Sequence, residues 1–356
     1  MPADPSFSAR LLEWWDTHGR KDLPWQHPRT PYRVWVSEIM LQQTQVKTVI
    51  PYFNRFVDRF PDVKTLAAAT TDEVLAHWSG LGYYARARNL LKTARICVEN
   101  HGSELPGTPQ ALAALPGIGE STANAIWSQA HDQPAVVLDG NAKRVLARYF
   151  AVEGWPGKAS VHKQLWDSAR QLLPKKRGAD YTQAIMDLGA TLCTRSKPEC
   201  PRCPVNVDCR AYHAGMIDRF PSPRPRLNVA EKSFHMLILT DEMGKVLLER
   251  RPPAGIWGGL WTLPAAEDIE PLQHRLGIEQ RELQTLPSLQ HQLTHMRMTI
   301  HPVIGDAKPT PTGVECNQDQ GWFGQHEWPT LGLPKPVRQL LETYLAKDEP
   351  RIAEND

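Results

Sequence analysis

The first 215 residues repeat apolar side chains at the spacing of amphipathic helices. Within residues 6–215, apolar positions recur three and four residues apart, and glycine or proline separates one run from the next. The clearest runs are Leu11–Trp15, Val34–Met40, Leu66–Trp78, Ala87–Val98, Ala111–Leu115 and Thr122–Gln129. This pattern predicts a mainly α-helical N-terminal part.

The pattern changes after a proline-rich segment. Residues 218–230 contain three prolines within five positions and lack apolar periodicity, which is typical of a stiff linker. The sequence beyond it predicts strands at Phe234–Leu239, Val246–Leu248 and Met296–Ile304 and a final helix at Val337–Leu345. We therefore expect a small α+β domain over residues 231–346, followed by a flexible tail at 347–356.

Composition argues against a membrane protein. Hydrophobic residues make up 41% and charged residues 22% of the 356 residues, as in ordinary soluble domains. No stretch approaches the roughly 20 apolar residues that a membrane span needs, and the N-terminus lacks the apolar core of a secretory signal. We expect a cytoplasmic protein with no membrane partner and with two or three domains.

The net charge of +2 conceals an asymmetry between the two parts. Residues 1–230 carry 29 Lys and Arg against 21 Asp and Glu, or +8, whereas residues 231–356 carry 12 against 18, or −6. A basic first part suits a polyanion such as DNA, although ordinary scatter explains a difference of this size equally well.

Four of the six cysteines lie within 17 residues, in the arrangement Cys193-x6-Cys200-x2-Cys203-x5-Cys209. Such clustering in a cytosolic protein indicates a metal centre and not disulfides. Structural zinc usually shows two C-x2-C pairs with a longer spacer, whereas one tight pair between single cysteines favours a [4Fe–4S] cluster. The basic residues of this loop suit a DNA backbone, or simply a solvated surface.

A short turn between two helical runs is the second signal. In Leu115-Pro116-Gly117-Ile118-Gly119, the glycines let backbone N–H groups approach an anion, and the following helix adds the positive end of its dipole. The turn predicts a helix-hairpin-helix in which Gly117 and Gly119 bind a DNA phosphate. A Gly-x-Gly turn alone also occurs as plain punctuation between helices.

Two acidic residues stand in apolar surroundings. Asp139 precedes a helical run that reaches Tyr149, so it is typical of a helix N-cap, and the helix N-terminus would keep its carboxylate ionised. Glu38 lies either on a solvated helix face or among apolar neighbours that raise its pKa and keep it protonated. One ionised and one neutral carboxyl group is the pair that glycoside cleavage requires.

Together these segments resemble the adenine DNA glycosylases of the MutY family, within the endonuclease III superfamily. The resemblance covers nearly all of residues 6–215 and is carried by Trp35–Thr44, Gly80–Arg88, Leu115–Gly119, Leu138–Asn141, Gln183–Gly189 and the cysteine loop. The C-terminal part resembles the family's Nudix-like domain at Arg250–Pro252 and Gly255–Trp261.

The resemblance implies a particular domain organisation. A helix-hairpin-helix glycosylase region over residues 1–217 would consist of a six-helix barrel at about 30–133 and an iron–sulfur subdomain at about 1–29 and 134–217. A linker at 218–230 and a Nudix-like lesion-recognition domain at 231–346 would follow. The expected cofactor is one [4Fe–4S] cluster, with Cys193, Cys200, Cys203 and Cys209 as its ligands.

The family removes adenine that is mispaired with 8-oxoguanine or guanine in double-stranded DNA. The resemblance implies that Glu38 protonates adenine at N7. Asp139 then stabilises the oxocarbenium ion, by its charge or by transient covalent attachment, and Asn141 supports it. We expect a monomer that works on DNA in the cytoplasm, at the bacterial nucleoid.

Further residues of the base pocket follow from the same resemblance. Gln183 looks like a base-pocket residue, and Gln42 and Tyr83 look like wedges that fill the space left by the flipped base. Without the resemblance, Gln42 would be a polar helix residue and Tyr83 a core aromatic. Ser121, beside the pocket, stands where related bifunctional pyrimidine glycosylases carry a Schiff-base lysine and some adenine glycosylases carry a tyrosine. Without an amine, Ser121 predicts base removal only.

The C-terminal domain departs from the family at its lesion-reading loop. The family uses a Phe-Ser-His triplet, and the corresponding triplet is Leu293-Thr294-His295, in which Thr294 keeps the hydroxyl and His295 keeps its donors. The acidic residues at 261–282 lack the clustered spacing that would hold catalytic magnesium. We therefore expect a reader of the lesion and not a second hydrolase.

Three other functions stay open at this point. They are a pyrimidine-lesion glycosylase with lyase activity, a non-catalytic DNA-binding redox sensor, and magnesium-dependent hydrolysis of an oxidised dGTP by the C-terminal domain. Ser121 and the additional domain argue against the first. A catalytic requirement for Glu38 and Asp139 would exclude the second.

Overall fold

The computed structural model describes residues 5–225, 229–278, 283–293, 296–306 and 319–346. The chain forms two compact units, Met1–Ala68 with Asn89–Arg226, and Ala69–Arg88 with Leu227–Asp356. Residues 69–88, which the resemblance places in the helical barrel, therefore cluster with the C-terminal unit. The other sequence-based domain limits stay predictions.

All the helices and strands assigned to the described residues of the first unit are helices. Its helices are α1 (Pro5–His18), α2 (Pro31–Leu41), α3 (Val46–Arg59), α4 (Val63–Ala68), α7 (Pro109–Ala113), α8 (Glu120–His131), α9 (Gly140–Tyr149), α10 (Ala159–Gln171), α11 (Gly178–Thr191) and α12 (Arg210–His213). Two more helices, α5 (Thr71–Trp78) and α6 (Ala85–Asn100), lie in or begin in the second unit.

The local sequence fixes where these helices begin. Thr30 accepts a hydrogen bond from the backbone N–H of Arg33, and Pro31 fills the first position of α2, where no N–H is needed.

The predicted single helix over Leu66–Trp78 is wrong, because α4 ends at Ala68 and α5 begins at Thr71. Thr70 caps α5 with an extended backbone, which interrupts the helical run.

A buried core joins α1, α9, α10 and α11. Phe7, Leu146, Leu165 and Leu188 have no exposed surface, and the cysteine loop packs against the same core. In a separate contact, α2 packs against α8. These contacts hold α9 beside α11 and α2 beside α8, which are the helices that carry most of the predicted site residues.

The second unit is built on a mixed sheet in the order β3-β2-β1-β7-β5, with β4 paired to β1, β6 to β7 and β8 to β2. The strands are β1 (Ala230–Thr240), β2 (Val246–Arg250), β3 (Trp261–Thr262), β4 (Ala265–Ala266), β5 (Leu283–Thr285), β6 (Leu289–Leu293), β7 (Met296–Asp306) and β8 (Gln320–Phe323). The pair β1 and β7 is parallel over its whole length, and the other pairs are antiparallel.

Helices cover both faces of this sheet. Met236 and Ile238 of β1 share a core with α14 (Lys335–Tyr344), whereas Leu237 and Leu239 point to the opposite face and α13 (Ile269–Leu276). Two covered faces explain why the sequence of β1 is a continuous apolar run.

The predicted strands, the final helix and the fold class are confirmed. None of the helices in the described ranges is both long and apolar enough to cross a bilayer.

Side chains fasten residues 69–88 to the rest of the second unit. Asp72 forms an ion pair with Arg250 and accepts a hydrogen bond of 3.3 Å from the indole of Trp261. The hydroxyls of Ser79 and Tyr84 both donate to the backbone carbonyl of Leu333, at 3.2 and 3.3 Å. Residues 69–88 are thus bound to residues that lie more than 170 positions further along the chain.

Candidate active site

One cleft in the first unit brings most of the predicted site residues together. Its volume of about 880 Å³ lies within the usual range of ligand pockets. The predicted residues that line it are Glu38, Gln42, Ser121, Asp139, Asn141 and Gln183. Cationic side chains also line the cleft, namely Arg20, Lys47, Lys143, Arg144 and Arg195. An anionic substrate would therefore meet positive charge on several sides.

Helix α8 holds the segment that leads to Asp139. The hydroxyl of Ser121 accepts a hydrogen bond of 2.9 Å from the backbone N–H of Leu138, and the side-chain amide of Asn124 donates to the carbonyl of Val136 at 2.8 Å. These two bonds satisfy backbone groups of a segment that has no strand partner. Ser121 thus has a structural role besides lining the cleft.

Asp139 is the N-cap of α9. One carboxyl oxygen accepts a hydrogen bond of 2.6 Å from the backbone N–H of Ala142, as the sequence pattern suggested. Burial raises the pKa of Asp139. Backbone N–H groups of Ala142 and Asn141 and the charges of Arg144 and Lys143 oppose this increase without cancelling it.

Glu38 lies on α2 and lines the same cleft. Its Oε1 accepts a hydrogen bond of 2.8 Å from the side-chain amide of Gln129 on α8. Burial, and secondly the charge of Asp139, raise the pKa of Glu38 to about 7, while the bond from Gln129 lowers it. Glu38 therefore titrates near neutral pH, as a general acid does.

Asn141 is tied to its surroundings by Arg144. The guanidinium of Arg144 donates to the side-chain oxygen of Asn141 at 2.7 Å, to the carbonyl of Gly189 at 2.6 Å and to the carbonyl of Cys193 at 2.7 Å. The start of α9, the end of α11 and the first cysteine are thereby linked through one side chain.

A buried carboxylate orients Gln183. The amide nitrogen of Gln183 donates to Asp187 at 2.7 Å, and Asp187 is fully buried. Asp187 also accepts two hydrogen bonds from the guanidinium of Arg20, at 2.9 and 2.7 Å, and one from the indole of Trp15 at 3.2 Å. Since this network fixes the amide nitrogen, the carbonyl oxygen of Gln183 is left to accept a hydrogen bond in the cleft.

The helix-hairpin-helix is present as α7, the turn at residues 114–119, and α8. Gly117 has φ of +77°, and a Cβ there would lie 2.9 Å from the side chain of Asn89, so glycine is required. Gly119 is the N-cap of α8. Both glycines are exposed, whereas Leu115 and Ile118 are buried and anchor the turn.

The four clustered cysteines line one common cavity beside the core of the first unit. Arg148, which is 3% exposed, donates to the sulfur of Cys193 at 3.3 Å and to the carbonyl of Thr194 at 2.7 Å. Among the described residues, no three His, Cys, Asp or Glu side chains stand close enough together to ligate a single metal ion.

Tyr83 does not line this cleft. Tyr83 belongs to the second unit, where it is 44% exposed with φ of +50°, and its ring packs against the guanidinium of Arg86. Such a backbone conformation is unusual for an aromatic residue. Thr294 and His295 lie outside the described residues.

The comparison with known proteins identifies the family. Residues 36–171 match the model of the HhH-GPD superfamily base excision DNA repair protein, and residues 235–343 match the NUDIX domain. The adenine DNA glycosylase of Buchnera aphidicola subsp. Schizaphis graminum is 34% identical over 95% of this chain and 98% of its own length. That of Mus musculus is 35% identical over 95% of this chain and 78% of its own.

The chain belongs to the adenine DNA glycosylase family. The family and the enzyme class expected from the sequence are thereby confirmed, and the matching family model is one of base excision DNA repair. Among solved structures, a thermostable thymine-DNA glycosylase is 30% identical with a TM-score of 0.54, covering 58% of this chain and 95% of that chain. An endonuclease III in a non-covalent complex with DNA, 22% identical with a TM-score of 0.50, covers 59% and 94% and shares the fold.

Close packing at Gly189 yields the first prediction. A Cβ at this position would lie 2.6 Å from the Cβ of Asn141 and 3.0 Å from its Cα, so Gly189→Ala must push α11 away from the start of α9. Alanine normally stabilises a helix relative to glycine by roughly 0.5–1 kcal/mol. Here we expect a lower Tm and an adenine-release rate reduced about tenfold, as expected of a small misplacement in the site.

The measurements are thermal unfolding and single-turnover kinetics, with Gly107→Ala as the matched control. A Cβ at Gly107 meets nothing within 4 Å, so this variant should behave like the wild type. A Gly189→Ala protein with unchanged Tm and rate would show that the α9–α11 contact does not position Asn141.

Proposed function

We propose that this adenine DNA glycosylase removes adenine paired with 8-oxoguanine or guanine in double-stranded DNA. The enzyme flips the adenine out of the stack and hydrolyses its bond to deoxyribose, without cutting the strand. The observation that carries the proposal is the convergence of Glu38 and Asp139 on one cleft that is lined by cations. The flipped nucleotide brings both the base and a negatively charged backbone to this place.

The two carboxyl groups divide their roles according to their partners. Burial raises the pKa of both groups, and the charge of Asp139 raises that of Glu38 further. Asp139 has two backbone N–H groups and two cations that favour its anion, whereas one hydrogen bond from Gln129 favours the anion of Glu38. The proton therefore resides on Glu38 and the charge on Asp139.

This division supports a stepwise reaction. Glu38 transfers its proton to N7 of adenine, and the bond between C1′ and N9 then breaks, with its electron pair leaving on the neutral base. The Asp139 carboxylate stabilises the positive charge that develops on the sugar, and Asn141, held by Arg144, supports it. Water adds at C1′, and the proton released returns to the carboxyl pair.

Other residues hold the substrate. The carbonyl oxygen of Gln183 accepts a hydrogen bond from the amino group of adenine, since Asp187 already occupies its amide nitrogen. Gln42 at the end of α2 and the exposed ring of Tyr83 act as wedges that replace the flipped base. The exposed N–H groups around Gly117 and Gly119 bind a backbone phosphate at the N-terminus of α8.

The cysteine cavity fits a [4Fe–4S] cluster. Cys193, Cys200, Cys203 and Cys209 line one cavity and would be its ligands, and the spacing of one tight pair between single cysteines matches this centre better than zinc. Arg148 would donate to a ligand sulfur from inside the core. A cluster held there would have a structural role, because the cysteine loop packs against the core of α9 and α11.

The C-terminal domain reads the base opposite adenine. Residues 235–343 of this domain match the NUDIX domain. Thr294 and His295 supply a hydroxyl and ring nitrogens for hydrogen bonds to 8-oxoguanine. The enzyme binds its duplex as a monomer, in the cytoplasm at the nucleoid.

A pH profile tests the role of Glu38. With its pKa raised to about 7, the protonated fraction falls about tenfold for each pH unit above that value, so the single-turnover rate should fall likewise. Glu38→Gln removes the proton and should lower the rate about 10²–10⁴-fold. Glu99→Gln, at an exposed acid of α6, is the control and should leave the rate unchanged.

Two results would contradict this role. One is a Glu38→Gln enzyme with wild-type rate, and the other is a wild-type rate that stays constant between pH 6.5 and 8.5, around the pKa of about 7.

Absorption spectroscopy tests the cluster. Freshly purified protein should show a broad band at the violet edge of the visible spectrum and contain four irons for each chain. Cys200→Ser should lose the band and lower the Tm, whereas Cys97→Ala, at a buried cysteine of α6 away from the loop, should keep the band. A colourless protein loaded with zinc would refute the assignment.

A nicking assay tests the reaction type. On duplexes with an adenine·8-oxoguanine, adenine·guanine or adenine·thymine pair, we expect strand breaks at the first two, and only after hot alkali, because Ser121 offers no amine for Schiff-base chemistry. Enzyme-dependent breaks without alkali, in proportion to base release, would favour a bifunctional glycosylase. Equal release from all three duplexes would remove the proposed mispair specificity.

A further inference from the structure

Gln129 is a buried amide beside Glu38, and the reaction described so far gives it no positioning role. It lies on α8 with 2% of its surface exposed, and its Nε2 donates the bond of 2.8 Å to Oε1 of Glu38. Its own carbonyl oxygen is buried and has no hydrogen-bond partner among the residues that the structure describes. The bond to Glu38 is therefore the contact that accounts for the amide.

The neighbouring residue shows what ordinary packing of α8 requires. Ser128 is also fully buried, but its hydroxyl is satisfied by the carbonyl of Gly178 and by the hydroxyl of Thr182, both on α11. A buried and unpaired carbonyl destabilises the fold, and methionine or leucine would fill the space of Gln129 without that cost. An amide at position 129 is thus explained by the carboxyl group that it faces.

We propose that Gln129 positions the transferable proton of the general acid. The inference rests on the proposed role of Glu38. The amide nitrogen is only a donor, so the carboxyl oxygen that accepts its hydrogen bond is not the oxygen that carries the proton. By occupying Oε1, Gln129 confines the proton to Oε2, the oxygen that remains for the substrate.

The same hydrogen bond also affects the pKa of Glu38. A donor stabilises the ionised carboxylate, so Gln129 lowers the pKa of Glu38 while burial and Asp139 raise it. The charged groups that line the cleft around Glu38 are Arg20, Lys47, Asp139, Lys143, Arg144 and Arg195. Removing Gln129 leaves these charges in place and should raise the pKa of Glu38.

The test compares the pH dependence of single-turnover adenine release for wild type, Gln129→Met and Ser128→Ala. Full-length, cluster-loaded proteins act on a duplex with an adenine·8-oxoguanine pair. For Gln129→Met we expect the alkaline fall in rate to move about one pH unit higher, the size typical of one hydrogen bond to a charged group. The plateau rate should fall about tenfold, since the proton is no longer confined to one oxygen.

Ser128→Ala removes a buried hydroxyl from the same helix and serves as the matched control. Its Tm should fall, while its pH profile, its plateau rate and its affinity for the duplex stay those of the wild type. A Gln129→Met profile that coincides with that of Ser128→Ala, or that moves to lower pH, would overturn the inference.

Gln129→Glu provides a second variant in case the methionine variant does not fold. A second carboxyl group against Glu38 should move the alkaline fall to higher pH through like-charge repulsion, and an unmoved profile overturns the inference equally. The activity of Glu38→Gln distinguishes failure of the proposed function from failure of this inference, because Glu38→Gln keeps its activity only if the proposed function is wrong. If Glu38→Gln is inactive and both Gln129 variants match the wild type, the acid stands and the positioning role falls.

Discussion

The active site depends on two carboxyl groups that are buried in one cleft. Burial alone raises the pKa of both groups, whereas the proposed reaction needs one of them as an anion. The surrounding helices break this symmetry with unequal numbers of partners. Asp139 receives two backbone N–H groups at the start of α9 and lies near Lys143 and Arg144, whereas Glu38 receives one neutral amide. The fold thus favours the anion of Asp139 more strongly than that of Glu38.

Local patterns in the sequence account for much of the fold. The strands β1 and β7, the final helix and the N-cap at Asp139 each follow from a few consecutive residues. Cysteine spacing indicated the shared cavity, because four ligands on one short loop have few alternatives. The break between α4 and α5 was missed, since a threonine cap is a weak signal within a continuous apolar run.

The remainder depends on tertiary contacts that no local pattern reveals. Gln129 and Glu38 are 91 positions apart, and Arg20 and Asp187 are 167 apart. The raised pKa of Asp139 needs coordinates for the same reason, because a helix N-terminus is visible in sequence and the depth of burial is not. The attachment of Asp72 to Arg250 and Trp261 likewise needs coordinates.

Helix α8 makes a different contact with the candidate site at each of several positions along its length. The glycine turn precedes its first residue, Ser121 and Asn124 brace the chain before Asp139, and Gln129 contacts Glu38 two turns further on. At 1.5 Å per residue, about 15 Å separates Gly119 from Gln129. In the proposed function, a DNA strand bound at the glycine turn would lie at a fixed distance from Glu38, so binding of the backbone would also limit how deeply a base can enter the cleft.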